Sequence, residues 1–309
     1  MKLLISYNLP REAFTDLPAG WEATFPEGDF FTKEEIIRMI PEFDVILSSF
    51  SIQVDRDILD AGKNLKLVSN YGVGYNNIDI AYAREKGIAV SNTPASVCNP
   101  TAELCLALML GVARRIPELD HRLRIEKESM WGTMKNLGTG LEGKTLGIIG
   151  MGRIGKNVAE KAQVFGMNII YYNPRSEVSG YKRVDFDTLL KEADFISLHS
   201  PLNENTRHMI SEREFGLMKK NTFLINTSRG AVVDEKALVT ALKNKCIKGV
   251  ALDVFEAEPH VTEELYQMDN VVMVPHIGTA TIEGRIAMAQ EALENIKNFV
   301  NGTSTNIVN

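Results

Sequence analysis

The stretch Lys144–Asn173, KTLGIIGMGRIGKNVAEKAQVFGMNIIYYN, decides the fold. Its apolar and small residues from Thr145 to Gly150 suit a buried parallel strand. Gly150, Gly152 and Gly155 then fall at G-x-G-x-x-G spacing and a helical pattern follows. In such a unit the first glycine permits the tight turn, the second lets the backbone approach a pyrophosphate, and the third lets helix and strand pack closely. The anion meets main-chain N–H groups at the positive end of the helix dipole. A second strand, Asn168 to Tyr172, ends where the ribose-binding residue of such a unit belongs, about 20 residues beyond the glycines. Asn173 stands there in place of the usual acid. Three glycines alone would suit any tight turn in a packed α/β unit; with strand, helix and second strand in register they predict a dinucleotide site.

Outward from this stretch, residues 1 to 98 alternate short apolar runs with helical patterns. Lys2 to Ser6, Val45 to Ser48, Leu65 to Ser69 and Ile88 to Val90 read as strands, with helices near 33 to 40, 55 to 61 and 78 to 86. That alternation implies a parallel sheet with crossover helices. Pro100 suits a first helical position, with Asn99 or Cys98 as cap, so a long helix is predicted from about 100 to 116, followed by a partly charged helical stretch to about 128. Beyond the second nucleotide strand come strands at Phe195 to Leu198, Thr222 to Ile225, Val250 to Leu252 and Val271 to Val274, and a last amphipathic helix from about 282 to 300. The expected fold is α/β, with two doubly wound parallel-sheet domains.

A chain of 309 residues is about two domains long. Its net charge of -6 leaves no basic footprint for nucleic acid. The most apolar helix candidate, Ala102 to Val112, falls well short of a membrane span of ~20 residues, and the run at MKLLISYNLP is too short for a signal-peptide core. Cys98, Cys105 and Cys246 are odd in number and form no C-x-x-C pair, which favours reduced thiols in a cytoplasmic protein. No metal site is expected.

Seven blocks in order, NYGVGYNNID (70 to 79), TAEL (101 to 104), GMGRIG (150 to 155), SLHSPLNENTRHMI (197 to 210), NTSRG (226 to 230), LDVFEAEP (252 to 259) and PHIG (275 to 278), resemble the D-isomer-specific 2-hydroxyacid dehydrogenase family over nearly the whole chain. The resemblance implies two Rossmann-like domains with a cleft between them. The first, discontinuous, would be a substrate-binding domain of residues 1–98 plus 282–309; the second, 99–281, would bind the dinucleotide. It also implies a homodimer formed through the cofactor domain, the segment Arg122 to Gly140 with Trp131 reaching the partner.

Reducing a 2-oxo acid with a nicotinamide hydride needs a cation for the carboxylate, a polarising donor at the ketone and an acid for the forming alkoxide. Arg229 suits the first need, because guanidinium offers a planar fork and the residue follows an apolar strand at the end where ligands of open α/β sheets collect. His276, also just past a strand, suits the third. Glu258 would hold its imidazole and favour the protonated form. Singly, each has a plainer alternative: a solvated charge, a packed loop residue, a turn residue before Pro259. The resemblance assigns the catalytic roles to these three. His121, His208 and His260, among charged or polar residues, read as solvated. His199 ends a strand and is the rival acid, but the family pattern places it near the cofactor.

The glycines of Tyr71 to Gly74 allow N–H groups to face an anion, and by resemblance the amides of Val73 and Gly74 hold the substrate carboxylate; Arg229 and His276 complete the substrate-binding set. Asp253 matches the family position that bonds the nicotinamide carboxamide. Thr101, Ile154, Pro201, Thr206 and Thr227 match positions lining the cofactor. Asn173 cannot repel a 2′-phosphate as an acid would, and Arg175, Ser176 and Arg153 offer donors nearby, so NADP(H) is favoured, with NAD(H) left as the alternative. The stretches expected to face the substrate, Leu47 to Val54 and Asn70 to Asn77, hold no Lys or Arg, so a small unphosphorylated acid such as glyoxylate or hydroxypyruvate is expected. A 2-ketogluconate-type reductase and a 3-phosphoglycerate dehydrogenase are the alternatives within the family. A dinucleotide-sensing corepressor-like binding protein is the alternative of another class.

Overall fold

The computed structural model describes residues 1–127, 131–174, 177–303 and 305–309. The chain folds into two compact units, 1–97 with 279–309, and 98–278.

The first unit contains β1 (Lys2–Ile5), β2 (Glu22–Thr24), α1 (Lys33–Met39), β3 (Val45–Ser49), α2 (Arg56–Ala61), β4 (Leu67–Tyr71), α3 (Ile80–Glu85) and β5 (Ala89–Ser91). The strands form a parallel sheet in the order β2-β1-β3-β4-β5. All residues of β3 and β4 are buried, as expected of parallel strands covered on both faces. The helices start where polar side chains satisfy their first amides: Thr32 and Glu35 make a capping box on α1, Asp55 caps α2 and Asp79 caps α3. Leu4, Ile46, Val68 and Val90 of the strands pack with Ile36, Ile58, Leu59 and Ala83 of these helices. The last helix of the chain covers the other face, with Ser69 Oγ donating to the Ala292 carbonyl at 3.4 Å and Tyr71 Oη to that of Arg285 at 2.6 Å.

The second unit runs α4 (Cys98–Ala113), α5 (Ile116–His121), β6 (Thr145–Ile149), α6 (Arg153–Val164), β7 (Asn168–Tyr172), β8 (Lys182–Arg183), α7 (Phe186–Glu192), β9 (Phe195–Leu198), α8 (Glu212–Leu217), β10 (Phe223–Asn226), α9 (Glu235–Lys243), β11 (Gly249–Leu252) and β12 (Val271–Met273). α10 (Ile282–Val300) then returns to the first unit. The second sheet is parallel, in the order β12-β11-β10-β9-β6-β7-β8. One core lies under α7, α8 and α9, the other under α4 and α6. The chain order reverses between β6 and β9, the switch point at which ligands of such sheets bind outside the strand carboxyl ends.

Three expectations are corrected. β2 and β8 are strands where the sequence pattern indicates none. β4 begins at Leu67, two residues later than Leu65, because Leu65 is drawn into a turn by its N–H bond to the Gly62 carbonyl. α4 stops at Ala113, short of 116, because Arg115 takes a left-handed conformation, φ 56°, that a helix cannot continue through.

Candidate active site

The glycine turn is built as its spacing requires. Gly150 has φ +99°, and a Cβ there would stand 2.8 Å from the carbonyl carbon of His199. A Cβ on Gly155 would overlap the Gly150 carbonyl oxygen, so only glycine lets α6 come this close to β6. At Gly152 a Cβ would meet nothing within 4 Å, and no side chain caps α6 after it. An open approach at the second glycine and uncapped first-turn amides fit a pyrophosphate. Arg153 opens α6 and is exposed; Ile154 is half-buried. At the end of β7 the Asn173 carbonyl accepts a hydrogen bond from Arg183 Nη2 at 2.9 Å, which places a cation there that the sequence pattern does not reveal. Arg175 and Ser176 lie outside the described residues.

Arg229, Glu258 and His276 follow β10, β11 and β12 at the same end of the sheet. Asn226, the last residue of β10, shapes the turn before Arg229. Its Oδ1 accepts from the Ser228 amide at 3.0 Å and hydroxyl at 2.7 Å, and its Nδ2 donates to the Arg229 carbonyl at 3.0 Å. Arg229 Nη1 donates to the Ser228 carbonyl at 2.6 Å. Gly230 lets this turn lie directly on the next one: a Cβ would overlap the Phe255 carbonyl group. Glu258 Oε1 accepts the Phe255 N–H at 2.9 Å and its Oε2 lies 2.8 Å from His276 Nδ1. Neither Asn226 nor Gly230 carries a sequence signal beyond membership of the NTSRG block.

Asp253 does more than its sequence position implies. Its Oδ1 accepts the Ile277 N–H at 2.6 Å, its Oδ2 that of Gly278 at 2.9 Å, and its carbonyl that of His276 at 2.8 Å. His276 is held at φ 52° by this turn. Thr101 of α4 lies beside Gly278, its hydroxyl 3.5 Å from a Cβ built there. Thr206 Oγ1 donates to the Pro201 carbonyl at 2.6 Å and accepts the Asn203 amide at 2.8 Å, so it shapes its own loop. Thr227 is buried.

The charges follow from these surroundings. Burial works to raise the Glu258 carboxyl, but the His276 hydrogen bond and charge, the Phe255 amide and the Arg229 charge together hold it below the ordinary range. Burial lowers Arg229, opposed by Glu258. Burial pushes Asp253 up to about 6. Burial pulls His199 down to about 4; its Nε2 lies 2.8 Å from Ser197 Oγ. His199 is therefore neutral near pH 7, unsuited to the acid's part. His208 departs from the expectation of a solvated side chain: its Nε2 lies 2.6 Å from Glu256 Oε1 because the fold brings the two loops together. His121 and His260 are exposed.

In the first unit, the loop after β4 is fixed by two asparagines, Asn70 at the head of the NYGVGYNNID block and Asn92 outside any block. Asn70 Nδ2 donates to the carbonyls of Gly72 at 3.0 Å and Gly74 at 2.9 Å, and Asn92 Nδ2 to that of Val73 at 2.8 Å. With these carbonyls tied back, the peptide orientation around Val73 and Gly74 is set. Among the described residues no group of three His, Cys, Asp or Glu side chains could hold a metal ion, and no helix is long and apolar enough to cross a membrane.

A glycine turn shaped for a dinucleotide, on a sheet whose neighbouring strand ends gather an arginine, a glutamate and a histidine, defines a nicotinamide-dependent oxidoreductase. Residues 106–278 match the model of the D-isomer specific 2-hydroxyacid dehydrogenase, NAD binding domain. A glyoxylate reductase of Thermococcus litoralis is 49% identical over 284 residues, 89% of this chain and 86% of the relative. Solved structures align with this chain as well. The TT0316 protein of Thermus thermophilus has a TM-score of 0.94 at 37% identity, covering 100% of both chains. An NADPH-dependent glyoxylate/hydroxypyruvate reductase of Sinorhizobium meliloti, in complex with NADP and malonate, has a TM-score of 0.86 at 29% identity, covering 99% of this chain and 96% of the other. The chain belongs to the D-isomer-specific 2-hydroxyacid dehydrogenase family and is an oxidoreductase of 2-hydroxy acids.

Proposed function

We propose that the chain reduces a small unphosphorylated 2-oxo acid, glyoxylate or hydroxypyruvate, to the corresponding 2-hydroxy acid, the D isomer where C2 becomes a stereocentre, with NADPH preferred over NADH. The reading is carried by the His276 Nδ1–Glu258 Oε2 pair at 2.8 Å, with the Arg229 charge acting on the same carboxylate. The nicotinamide, when bound, supplies the hydride. Arg229 presents its planar fork to the substrate carboxylate. His276, with Nδ1 engaged by Glu258, delivers a proton from Nε2 to the oxygen as it becomes an alkoxide. Glu258 stabilises the imidazolium that gives up that proton, and in the reverse direction the neutral imidazole takes it back. The amides of Val73 and Gly74 serve the substrate carboxylate. Gly150, Gly152, Arg153, Ile154 and Gly155 receive the pyrophosphate, and Thr101, His199, Pro201, Thr206, Thr227 and Asp253 line the nicotinamide half.

The absence of Lys and Arg from 47–54 and 70–77 supports an unphosphorylated substrate, and so do the names of the relatives. Neutral Asn173, with Arg183 bonded to its carbonyl and Arg153 on the glycine turn, supports a 2′-phosphate. Exposed Leu123, Ile125, Trp131, Met134 and Leu137 fall within the segment 122–140 and support a homodimer through it; residues 128–130 of that segment lie outside the described ones. Three cysteines without a disulfide support a cytoplasmic enzyme.

Steady-state rates with glyoxylate, hydroxypyruvate, 2-ketogluconate, pyruvate and 3-phosphohydroxypyruvate, each with NADPH and NADH, test the reading. The highest kcat/KM is expected for glyoxylate or hydroxypyruvate with NADPH. A preference for 3-phosphohydroxypyruvate would overturn the substrate class, and equal or better efficiency with NADH the cofactor preference.

A further inference from the structure

Glu235, the first residue of α9, is an acid with only 5% of its surface exposed. Its Oε1 accepts the main-chain N–H of Glu256 at 2.5 Å, and its Oε2 accepts the Thr262 hydroxyl. These partners bracket Glu258 in the chain. Inside the bracket, Glu258 reaches back to the Phe255 amide and out to His276, while the His260 N–H bonds the Ala257 carbonyl at 2.9 Å. A carboxylate can accept at both oxygens at once, and here each oxygen holds a different end of one loop.

The surroundings leave that loop little freedom. On one side the Gly230 turn lies against the Phe255–Glu256 peptide, with no room for a Cβ between them. On the other, Glu256 Oε1 engages His208 Nε2 at 2.6 Å and Arg207 Nη2 at 3.4 Å, and Glu256 Oε2 faces the Glu235 amide at 3.5 Å. His208 is itself tied to the turn after Arg229, its N–H bonding the Ala231 carbonyl at 2.8 Å. The Arg229 and Glu258 loops are thus joined through one small polar network. Burying a carboxylate is costly, and an apolar residue would fill the space without that cost. What it could not do is grip two donors at a set separation.

We propose that Glu235 is a positioning residue for the reaction: its carboxylate closes the 256–262 loop and sets where the Glu258 carboxylate, and through it the His276 imidazole, stands. The proposal rests on the reading of Glu258 and His276 as the proton-transferring pair. Glu235 itself acts only through them.

A kinetic double-mutant cycle on the full chain tests this, comparing the unmodified protein, Glu235→Gln, Glu258→Gln and the double variant, with glyoxylate and NADPH. Glutamine keeps the volume but turns an N–H donor toward one of the two donors. Because a misplacement of about 1 Å can cost ~10²-fold, Glu235→Gln should lower kcat by ~10- to 100-fold and move the basic limb of the kcat/KM pH profile. NADPH binding, read by fluorescence titration, should be unchanged. Added to Glu258→Gln it should cause no further loss, since the two act on one element. Thr262→Val, which releases one end of the loop, should give a smaller loss in the same direction and serves if the glutamine variant does not fold. Full activity of Glu258→Gln would remove the pair and this role together. An impaired Glu258→Gln with an independent, multiplying loss from Glu235→Gln would overturn the positioning role alone. So would a Glu235→Gln variant with lowered Tm but unchanged kcat and pH profile.

Discussion

His276 Nδ1 stands 2.8 Å from Glu258 Oε2, while the His276 main chain is pinned at φ 52° by N–H bonds to the carbonyls of Asp253 and Val274. Two independent holds, one on the ring and one on the backbone, fix the direction in which Nε2 can exchange a proton. General acid catalysis is typically worth ~10² to 10⁴ in rate, so His276→Ala should lower kcat by that order while leaving NADPH affinity essentially unchanged. Single-turnover rates and fluorescence titration measure the two. Near-normal turnover at neutral pH would take the acid's role away from His276.

Arg229→Lys keeps a positive charge but loses the fork, and an ammonium cannot bind a carboxylate in two parallel bonds. A rise in KM for the 2-oxo acid with a fall in kcat is expected in steady-state assays. Unmodified kinetics would mean that charge alone suffices.

Gly230→Ala drives a methyl into the Phe255 carbonyl group, so the two turns must separate. Overpacking of this kind costs ~1–3 kcal/mol. Because Phe255 also donates to Glu258, kcat should fall along with Tm. A variant that melts early yet turns over normally would show that the Glu258 loop tolerates the displacement.

Asp253 gives a pH signature. Its folded-state pKa is raised by burial to about 6, against the pull of the Ile277 amide and the His276 charge. An acid with a raised folded pKa holds its proton more tightly in the native state. The stability this contributes is complete below the unfolded value of roughly 3.9 and is lost as pH rises through about 6. Asn at this position does not titrate. The stability of Asp253→Asn relative to the unmodified protein should therefore increase by ~1–3 kcal/mol between about pH 4.5 and pH 6.5, on top of a constant cost for the lost acceptor. Denaturant unfolding across that window measures it, and a difference independent of pH would contradict the burial of the charge.

Arg183→Ala removes the guanidinium bonded to the Asn173 carbonyl. Together with Arg175→Ala, it is expected to raise the KM for NADPH and leave that for NADH nearly unchanged. Parallel rises for both cofactors would reduce these arginines to general supports of the β7 turn.

β1, β3 to β7 and β9 to β12 are legible in the sequence as apolar runs, most plainly β3, β9, β10 and β11, every residue of which is buried. β2 and β8 are not, because Glu22–Thr24 and Lys182–Arg183 are short, polar edge strands that pair only because a neighbour is already in place. The same divide runs through the site. Arg229, Glu258 and His276 lie in blocks whose residue types announce a chemistry. Asn226 and Asn70 tie down their own turns, while Gly230 and Glu235 matter through partners in another loop, and no local pattern says which loops will meet. His208 is misread for that reason: its neighbours in sequence are polar, but its partner Glu256 lies 48 residues away.

α10, which follows the second unit in the chain, completes the first. Ser69 and Tyr71 find their acceptors on it, the amides of Ala95 and Ser96 are held by Glu291, and Ile307 and Asn309 bond to the edge strand β5. On the ribosome, residues 98–278 can therefore reach their native arrangement while the first 97 still lack one wall of their core. The unit begun first is the last to be finished, and until α10 emerges the sheet face that carries Ser69 and Tyr71 lacks this cover.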